Sequence, residues 1–360
     1  MLFAALVLLC LTGLPAAAQS LPQTGLAAEK IRAIETLISS EMSRQSIPGM
    51  SIAVAGPGNV YWSNGYGMAD MENFVPAKAS TVYRLASISK PITAVAAMQL
   101  VQARKLDLDA PVERYVAGFP KKQWPVTTRQ LLAHLGGVRH YKDEAEPYST
   151  KHYSSVAEAL QTFQDDALVH EPGTRYLYTT FGFVLAGAVV EGASGIAYSE
   201  YVRRNIFDPA GMTSIYMDDV YTLIPNRSRG YFQTAAGLVE NAPLADTSNK
   251  IPGGGMASTA GDLVKFAQAV GGGKLLSREM VETMWTPQRT RDGKSTYYGL
   301  GWGVGEIGGR RQVSHTGGQA GVSTVLRYLP GDQMAVAMMF NLQGVAFGDL
   351  ADKIVKILLQ

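Results

Sequence analysis

The sequence predicts an α+β fold: a mostly antiparallel sheet, flanked by N- and C-terminal helices, with an inserted, mostly helical lobe. Two strand-like runs lie near the front, at Met50–Ala55 and Val60–Ser63. Four more lie near the end, at Tyr298–Glu306, Gln312–Thr316, Ser323–Tyr328 and Met334–Phe340. The long middle is mostly helical in pattern. Strands at both termini around such a middle imply one sheet built from both ends of the chain. The sheet lobe is expected at about 31–85 and 295–360, and the helical lobe at about 86–294.

Each element has its own signal. Ile31, Ile34, Leu37 and Ile38 recur at helical spacing over Ile31–Arg44, and Pro48-Gly49 ends that helix. Gly56-Pro57-Gly58-Asn59 joins the first two strands as a hairpin. Ala86-Ser87-Ile88-Ser89-Lys90-Pro91 is a small-residue turn opening an Ala-rich helix, with Pro91 in the first turn, where a missing N–H is tolerated. Lys105–Pro125 is punctuated by Asp and Pro and reads as loop, after which Thr127 or Thr128 caps a short helix through Leu132. Ser155–Asp165, Phe181–Gly192 and Tyr198–Ile206 read as helices, and Glu171-Pro172-Gly173-Thr174 as a turn. Pro252–Met256 reads as a glycine loop, followed by a helix capped by Thr259 with Asp262 three residues on. Val345–Leu359 closes the chain as a helix.

Composition narrows the function class. Of 360 residues, 17% are charged and 46% apolar, the balance of a compact soluble enzyme rather than a disordered or fibrous chain. A net charge of +2 with no dense Lys/Arg block argues against a nucleic-acid partner. Met1–Ala18 has no charged side chain, and its apolar run Leu2–Leu11 is followed by Ala16-Ala17-Ala18 before Gln19. That is the pattern of a signal peptide over residues 1–18, cleaved near Ala18-Gln19 to leave a single domain over 19–360 in a bacterial periplasm or outside the cell. The run is short for a bilayer span, and a retained anchor is the alternative. Cys10, the only cysteine, would leave with that segment, so no disulfide and no thiol nucleophile is expected.

Three stretches carry chemistry. Ser87 and Lys90 lie one helical turn apart, so a desolvated lysine amine can take the proton of a serine nucleophile. Tyr178 sits where the turn Pro172–Thr174 leads into an apolar helix, a place from which a phenol or phenolate can reach Ser87. Val313-Ser314-His315-Thr316-Gly317-Gly318 is a strand running into glycines, which can offer a backbone N–H to an oxyanion and an edge to a peptide. The other histidines, His134, His140, His152 and His170, lack ligand spacing, so no metal is expected. No Gly-x-Ser-x-Gly occurs, against an α/β-hydrolase, and Gly253-Gly254-Gly255 lacks the lysine of a phosphate loop. Trp302 and Tyr298 can line a cleft or fill the core.

Taken together, the three stretches resemble the penicillin-recognising serine hydrolases: class C β-lactamases, serine D-Ala-D-Ala carboxypeptidases and family VIII esterases. That family carries Ser-x-x-Lys, Tyr-x-Asn or a variant, and Lys/His-Thr-Gly in this order. The wording Gly137-Val138-Arg139-His140-Tyr141, Tyr178-Thr179-Thr180-Phe181-Gly182 and His315-Thr316-Gly317-Gly318 is most similar to its LACTB-like branch. The resemblance runs from about Ile31 to the C-terminal helix and implies a β-lactamase/transpeptidase-like fold.

It also implies roles. Ser87 would be the acylated nucleophile, with Lys90 and Tyr178 sharing proton transfer. The N–H groups of Ser87 and Gly318 would form the oxyanion hole, and His315 would anchor a substrate carboxylate or orient Tyr178. Thr180 stands where many relatives have asparagine and His315 where many have lysine, which weakens the grip on a β-lactam's amide and carboxylate. The expectation is a cofactor-free peptidase or esterase acting on a small-molecule or peptide substrate. A β-lactamase, a penicillin-binding sensor and a self-assembling scaffold stay open, the last with a homo-oligomer as partner.

Overall fold

The computed structural model describes residues 25–360, and in it the strands of the two termini share one sheet. The signal-peptide reading of residues 1–18, with Cys10, lies outside the described residues. Helix α1 (Ala28–Gln45) leads into strands β1 (Gly49–Gly56), β2 (Asn59–Asp70) and β3 (Val75–Pro76). The end of the chain supplies β4 (Gly303–Ile307), β5 (Arg310–Gln319), β6 (Val322–Leu329) and β7 (Met334–Phe340). Their spatial order is β3-β2-β1-β7-β6-β5-β4, antiparallel throughout.

The seam between the two halves is β1 on β7, in register from Met50 opposite Phe340 to Ala55 opposite Ala335. Both strands are buried on both faces, and the alternation of side chains sorts them. Met50, Ile52, Val54, Val336, Met338 and Phe340 face the terminal helices, packing with Ile34, Ile38, Ile354 and Val355 of α1 and the closing helix Gly348–Leu359. Ala53, Ala55, Ala335 and Ala337 face the helical lobe, where short side chains let its helices approach.

That lobe is built round two helices with almost no solvent face, α2 (Ser89–Gln102) and α3 (Thr180–Ser194). Every residue of α2 from Ser89 to Met98 is buried. Capping follows the sequence: Thr127 and Gln130 form a reciprocal capping box, and Ser155, Thr179, Thr259 and Ser277 each accept a first-turn N–H.

Four elements differ from the sequence reading. The helix expected over Ser155–Asp165 is helical only at Val156–Leu160, since the following turn has little beyond Phe163 to bury. The glycine loop at Pro252 is the short helix α4 (Ile251–Gly254), and a Cβ on Gly253 would come 2.7 Å from the Thr180 carbonyl oxygen. Gly253 thus serves close packing against α3. Tyr198–Ile206 is α-helical to Val202 and then widens into a π turn over Arg203–Phe207. The strand expected from Tyr298 begins at Gly303, because Gly301 (φ +80°) folds Tyr298–Trp302 into a turn. A helix at Arg278–Met284, capped by Ser277, carries no strong sequence signal and was not foreseen.

The seam sets a stability test. Phe340 is fully buried and stacks on Phe347 with ring centroids 6.1 Å apart. Phe340→Ala should cost about 3–5 kcal/mol in urea unfolding; a loss under about 1 kcal/mol would mean the seam is not a principal support.

Candidate active site

Ser87 lies in a single 3₁₀ turn, Ala86–Ile88, that runs directly into α2. Two features press this turn into shape. Thr324 of β6 donates its hydroxyl to the Leu85 carbonyl at 2.9 Å. Gly317 of β5 lies so close that a Cβ there would meet Thr324 Oγ1 at 2.4 Å and Leu85 O at 2.5 Å. Ala86 takes φ +48°, a left-handed conformation unfavourable to a residue with a Cβ, just before the serine. The hydroxyl is thereby turned out of the core, and Ser87 is partly exposed while both neighbours are buried.

Lys90 is wholly buried. Its Nζ lies 2.9 Å from Ser87 Oγ, 3.2 Å from Thr180 Oγ1 and 2.7 Å from the Gly253 carbonyl oxygen. None of these contacts is a carboxylate. Burial, reinforced by the charge of Lys250, holds its ammonium well below the usual lysine range. A free amine here has two N–H groups for Gly253 and Thr180 and a lone pair left for the Ser87 hydroxyl, the arrangement that a general base needs.

Tyr178 stands over this pair, with its ring centroid 4.8 Å from Lys90 Nζ. Burial raises the phenol's pKa well above its usual value, and the hydrogen bond with Ser87 offsets only part of that rise. Of the two forms considered from sequence, the neutral phenol is the one favoured at neutral pH, a proton donor rather than a base. Thr180, in the first turn of α3, bonds Lys90.

Two histidines passed over in the sequence belong to this neighbourhood. The Thr179 N–H donates to His134 Nδ1 at 3.1 Å and the Thr180 N–H to His140 Nδ1 at 3.2 Å. Both are thus neutral Nε2–H tautomers seated on the N-terminus of α3. Burial, then the charge of Lys90, lowers His140 to about 4 and His134 well below the usual range. Their legible signal was the His140-Tyr141 wording after the glycine pair, which spacing rules for metals do not reach.

His315 has partners within the fold for both ring nitrogens. Its Nδ1–H donates to the Thr316 carbonyl at 2.6 Å, and its Nε2 accepts from Tyr298 Oη at 2.8 Å. Burial, then the charge of Lys90, lowers its pKa to about 3. A buried, neutral ring with both nitrogens engaged cannot anchor a carboxylate. Its ring centroid is 6.4 Å from that of Tyr178, so its contribution to Tyr178 is packing. Tyr298 and Trp302 are core residues, Tyr298 bonded to His315 and Trp302 stacked on Phe266.

The remaining predicted residues sit where β5 passes Ser87. The pairing of β5 with β4 ends at Ser314, so Thr316, Gly317 and Gly318 lie beyond the neighbour strand on that edge. A Cβ on Gly318 would meet nothing within 4 Å, and Gly318 faces a cleft of about 390 Å³ with Ser87, His140, Tyr141, Tyr178 and Gln343. None of the described residues lining that cleft is Lys, Arg, Asp or Glu.

Comparison with known proteins places the chain in a family. The Beta-lactamase family model matches residues 34–359. The chain is 32% identical to the serine beta-lactamase-like protein LACTB, mitochondrial, of Homo sapiens, over 85% of this chain and 76% of that protein. It is 30% identical to penicillin-binding protein 4* of Bacillus subtilis (strain 168), over 83% of this chain and 69% of that one. Among solved structures, the octameric penicillin-binding protein homologue from Pyrococcus abyssi superposes with a TM-score of 0.79 at 27% identity, covering 91% of this chain and 77% of that one. The D-amino acid amidase from Ochrobactrum anthropi SV3, complexed with L-phenylalanine amide, gives a TM-score of 0.80 at 25% identity, covering 92% and 99%.

The protonation states predict the pH profile. With Lys90 as the base, kcat/KM should fall on the acid side as Lys90 takes up a proton, at a pH well below the ordinary lysine value of about 10.4. His140 and His315 should add no limb at the ordinary histidine value of about 6.5, because they stay neutral to about 4 and about 3. A half-maximal point near the ordinary lysine value of about 10.4 would overturn the free-amine assignment.

Proposed function

The chain belongs to the beta-lactamase family and is a serine hydrolase, and from that premise we propose that it forms an acyl-enzyme on Ser87 and acts on uncharged peptide amides or esters. The observation that carries the substrate class is a cleft without a cation: no Lys or Arg side chain among the described residues lines it, and His315 is neutral and doubly bonded. A substrate carboxylate would enter that cleft with its charge unpaired, which is costly.

In the proposed reaction, the Lys90 amine accepts the Ser87 proton as Oγ attacks the carbonyl carbon. The oxyanion is held by the N–H groups of Ser87 and Gly318, fixed donors aimed where charge develops. Tyr178 gives its hydroxyl proton to the departing amine or alkoxide and is resupplied through Lys90. Water then enters and attacks the ester carbon, its proton passing to the same groups and from them to the departing Ser87 Oγ, which releases the acid and restores the hydroxyl. Thr316 and Gly317 offer the strand edge beside which a peptide would lie, Gly317 by keeping β5 against the Ser87 turn. Thr180 holds Lys90 rather than a substrate amide. The amidase neighbour, complexed with L-phenylalanine amide, supports an amide substrate for such a cleft.

Further proposals concern the whole chain. One hydrolase domain spans 19–360, with the catalytic serine where the sheet lobe meets the helical lobe. The uncharged apolar front end and Ala16-Ala17-Ala18 support export with cleavage near Gln19, and intact-mass measurement of the mature protein checks it. The octameric state of the Pyrococcus abyssi homologue makes a homo-oligomer the form to look for by light scattering.

The decisive experiment compares kcat/KM on a short peptide amide, a p-nitrophenyl ester and nitrocefin, with Ser87→Ala as control. Amide or ester should lead, and Ser87→Ala should retain only trace activity. A lead of more than about tenfold for nitrocefin, roughly 1.4 kcal/mol in the barrier, would make β-lactam hydrolysis the function. A penicillin label that stays on, without turnover of amide or ester, would favour the sensor.

A further inference from the structure

Lys250 is a second buried lysine beside the site, 1% exposed, and the proposed reaction makes no use of it. It immediately precedes α4, whose Gly253 carbonyl accepts from Lys90. Its Nζ donates to the Pro147 carbonyl at 2.8 Å and lies 5.4 Å from the centroid of the Tyr141 ring. The Tyr141 hydroxyl is under the influence of Thr180, and Thr180 Oγ1 is 3.2 Å from Lys90 Nζ. One aromatic ring and one hydroxyl thus stand between two lysine nitrogens.

We propose that Lys250 is an electrostatic positioning residue of the reaction: its ammonium, fixed behind the cleft wall by the Pro147 carbonyl, favours the Lys90 amine as acceptor of the Ser87 proton. The inference rests on the serine-hydrolase reading of Ser87 and Lys90. Its physical basis is that one buried cation disfavours a second nearby.

The charged groups around each lysine bear this out. Toward Lys250 face Arg84, which disfavours its charge, and Asp218, Asp246 and Glu146, which favour it; with burial as the largest influence, its pKa falls to about 8. All three carboxylates are already committed. Asp218 is paired with Arg84 at 2.8 Å and Arg227 at 2.5 Å, Asp246 with His152 at 2.8 Å, and Glu146 with Arg139 at 2.9 Å. They keep Lys250 protonated at neutral pH without cancelling it in a private ion pair. Toward Lys90 face Ser87 from its own turn, Tyr178 and Thr180 from the junction before α3, and the neutral rings of His134, His140 and His315. Lys250 is the charged neighbour acting on it.

The test follows the rate at which a fluorophosphonate labels Ser87 as a function of pH, a readout of base-assisted attack that needs no turnover. Lys250→Gln removes the charge and keeps an N–H donor for Pro147. Lys250→Met removes both, and Lys250→Arg keeps the charge. In Lys250→Gln and Lys250→Met the acid limb should move up by about one pH unit, a loss of about tenfold below the limb with the plateau above it preserved. Lys250→Arg should retain the wild-type limb. A Lys250→Gln profile superimposed on wild type, or a shift in Lys250→Met alone, would overturn the electrostatic role and leave only the contact with Pro147. Should Lys250→Met fail to fold, Lys250→Gln against Lys250→Arg decides the matter. Absence of labelling in the wild type would overturn the reading of Ser87 itself, an outcome distinct from an unshifted variant profile.

Discussion

A lysine amine sealed from water without a carboxylate is the constraint on which the site depends. An ammonium buried unpaired loses several kcal/mol of hydration, and the pocket round Lys90 returns only a carbonyl and two hydroxyls. The low-energy solution is a neutral amine whose lone pair faces the Ser87 hydroxyl. The surroundings keep to that solution. Thr180 and Gly253 are the acceptors two N–H groups require, and the three nearest histidines stay uncharged. A carboxylate in this pocket would lock the proton on Lys90 and remove the base.

The fold places that amine by joining the two ends of the chain. The β1–β7 seam brings β5 and β6, near residue 320, against a turn near residue 87. Gly317 allows the contact to be close, and the left-handed Ala86 absorbs the bend. Each feature is local, but together they over-determine the position of one oxygen. Strain at such a residue persists only where packing on both sides holds it. Here α2 holds from below and the sheet from beside.

Much of this was legible in the sequence because it is local. Ser87 and Lys90 are one turn apart, the capping residues sit at fixed offsets, and the strand runs alternate or are uniformly apolar. What was not legible depends on which side chains meet across the fold. Nothing in Ser314-His315-Thr316 reveals that Tyr298 takes one ring nitrogen and the strand's own carbonyl the other. His134 and His140 look unremarkable until α3 offers them its first N–H groups. The glycines of Pro252–Met256 read as a loop because a packing glycine and a turn glycine are the same letter.

These placements separate two tasks that a single cation in the cleft would have to share. A lysine on the strand at position 315 would face substrate and base alike, gripping a carboxylate while depressing the pKa of Lys90. With a neutral histidine there, the substrate side of the cleft carries no fixed positive charge. The positive charge sits instead on Lys250, behind the Tyr141 ring and facing carboxylates already paired elsewhere. Base strength then does not rest on a cation that the substrate also binds. An incoming carboxylate cannot reach Lys250 to neutralise it, and an uncharged ester forfeits nothing by lacking one. The same arrangement that leaves an anion without a partner in the cleft keeps Lys90 ready when the cleft is empty.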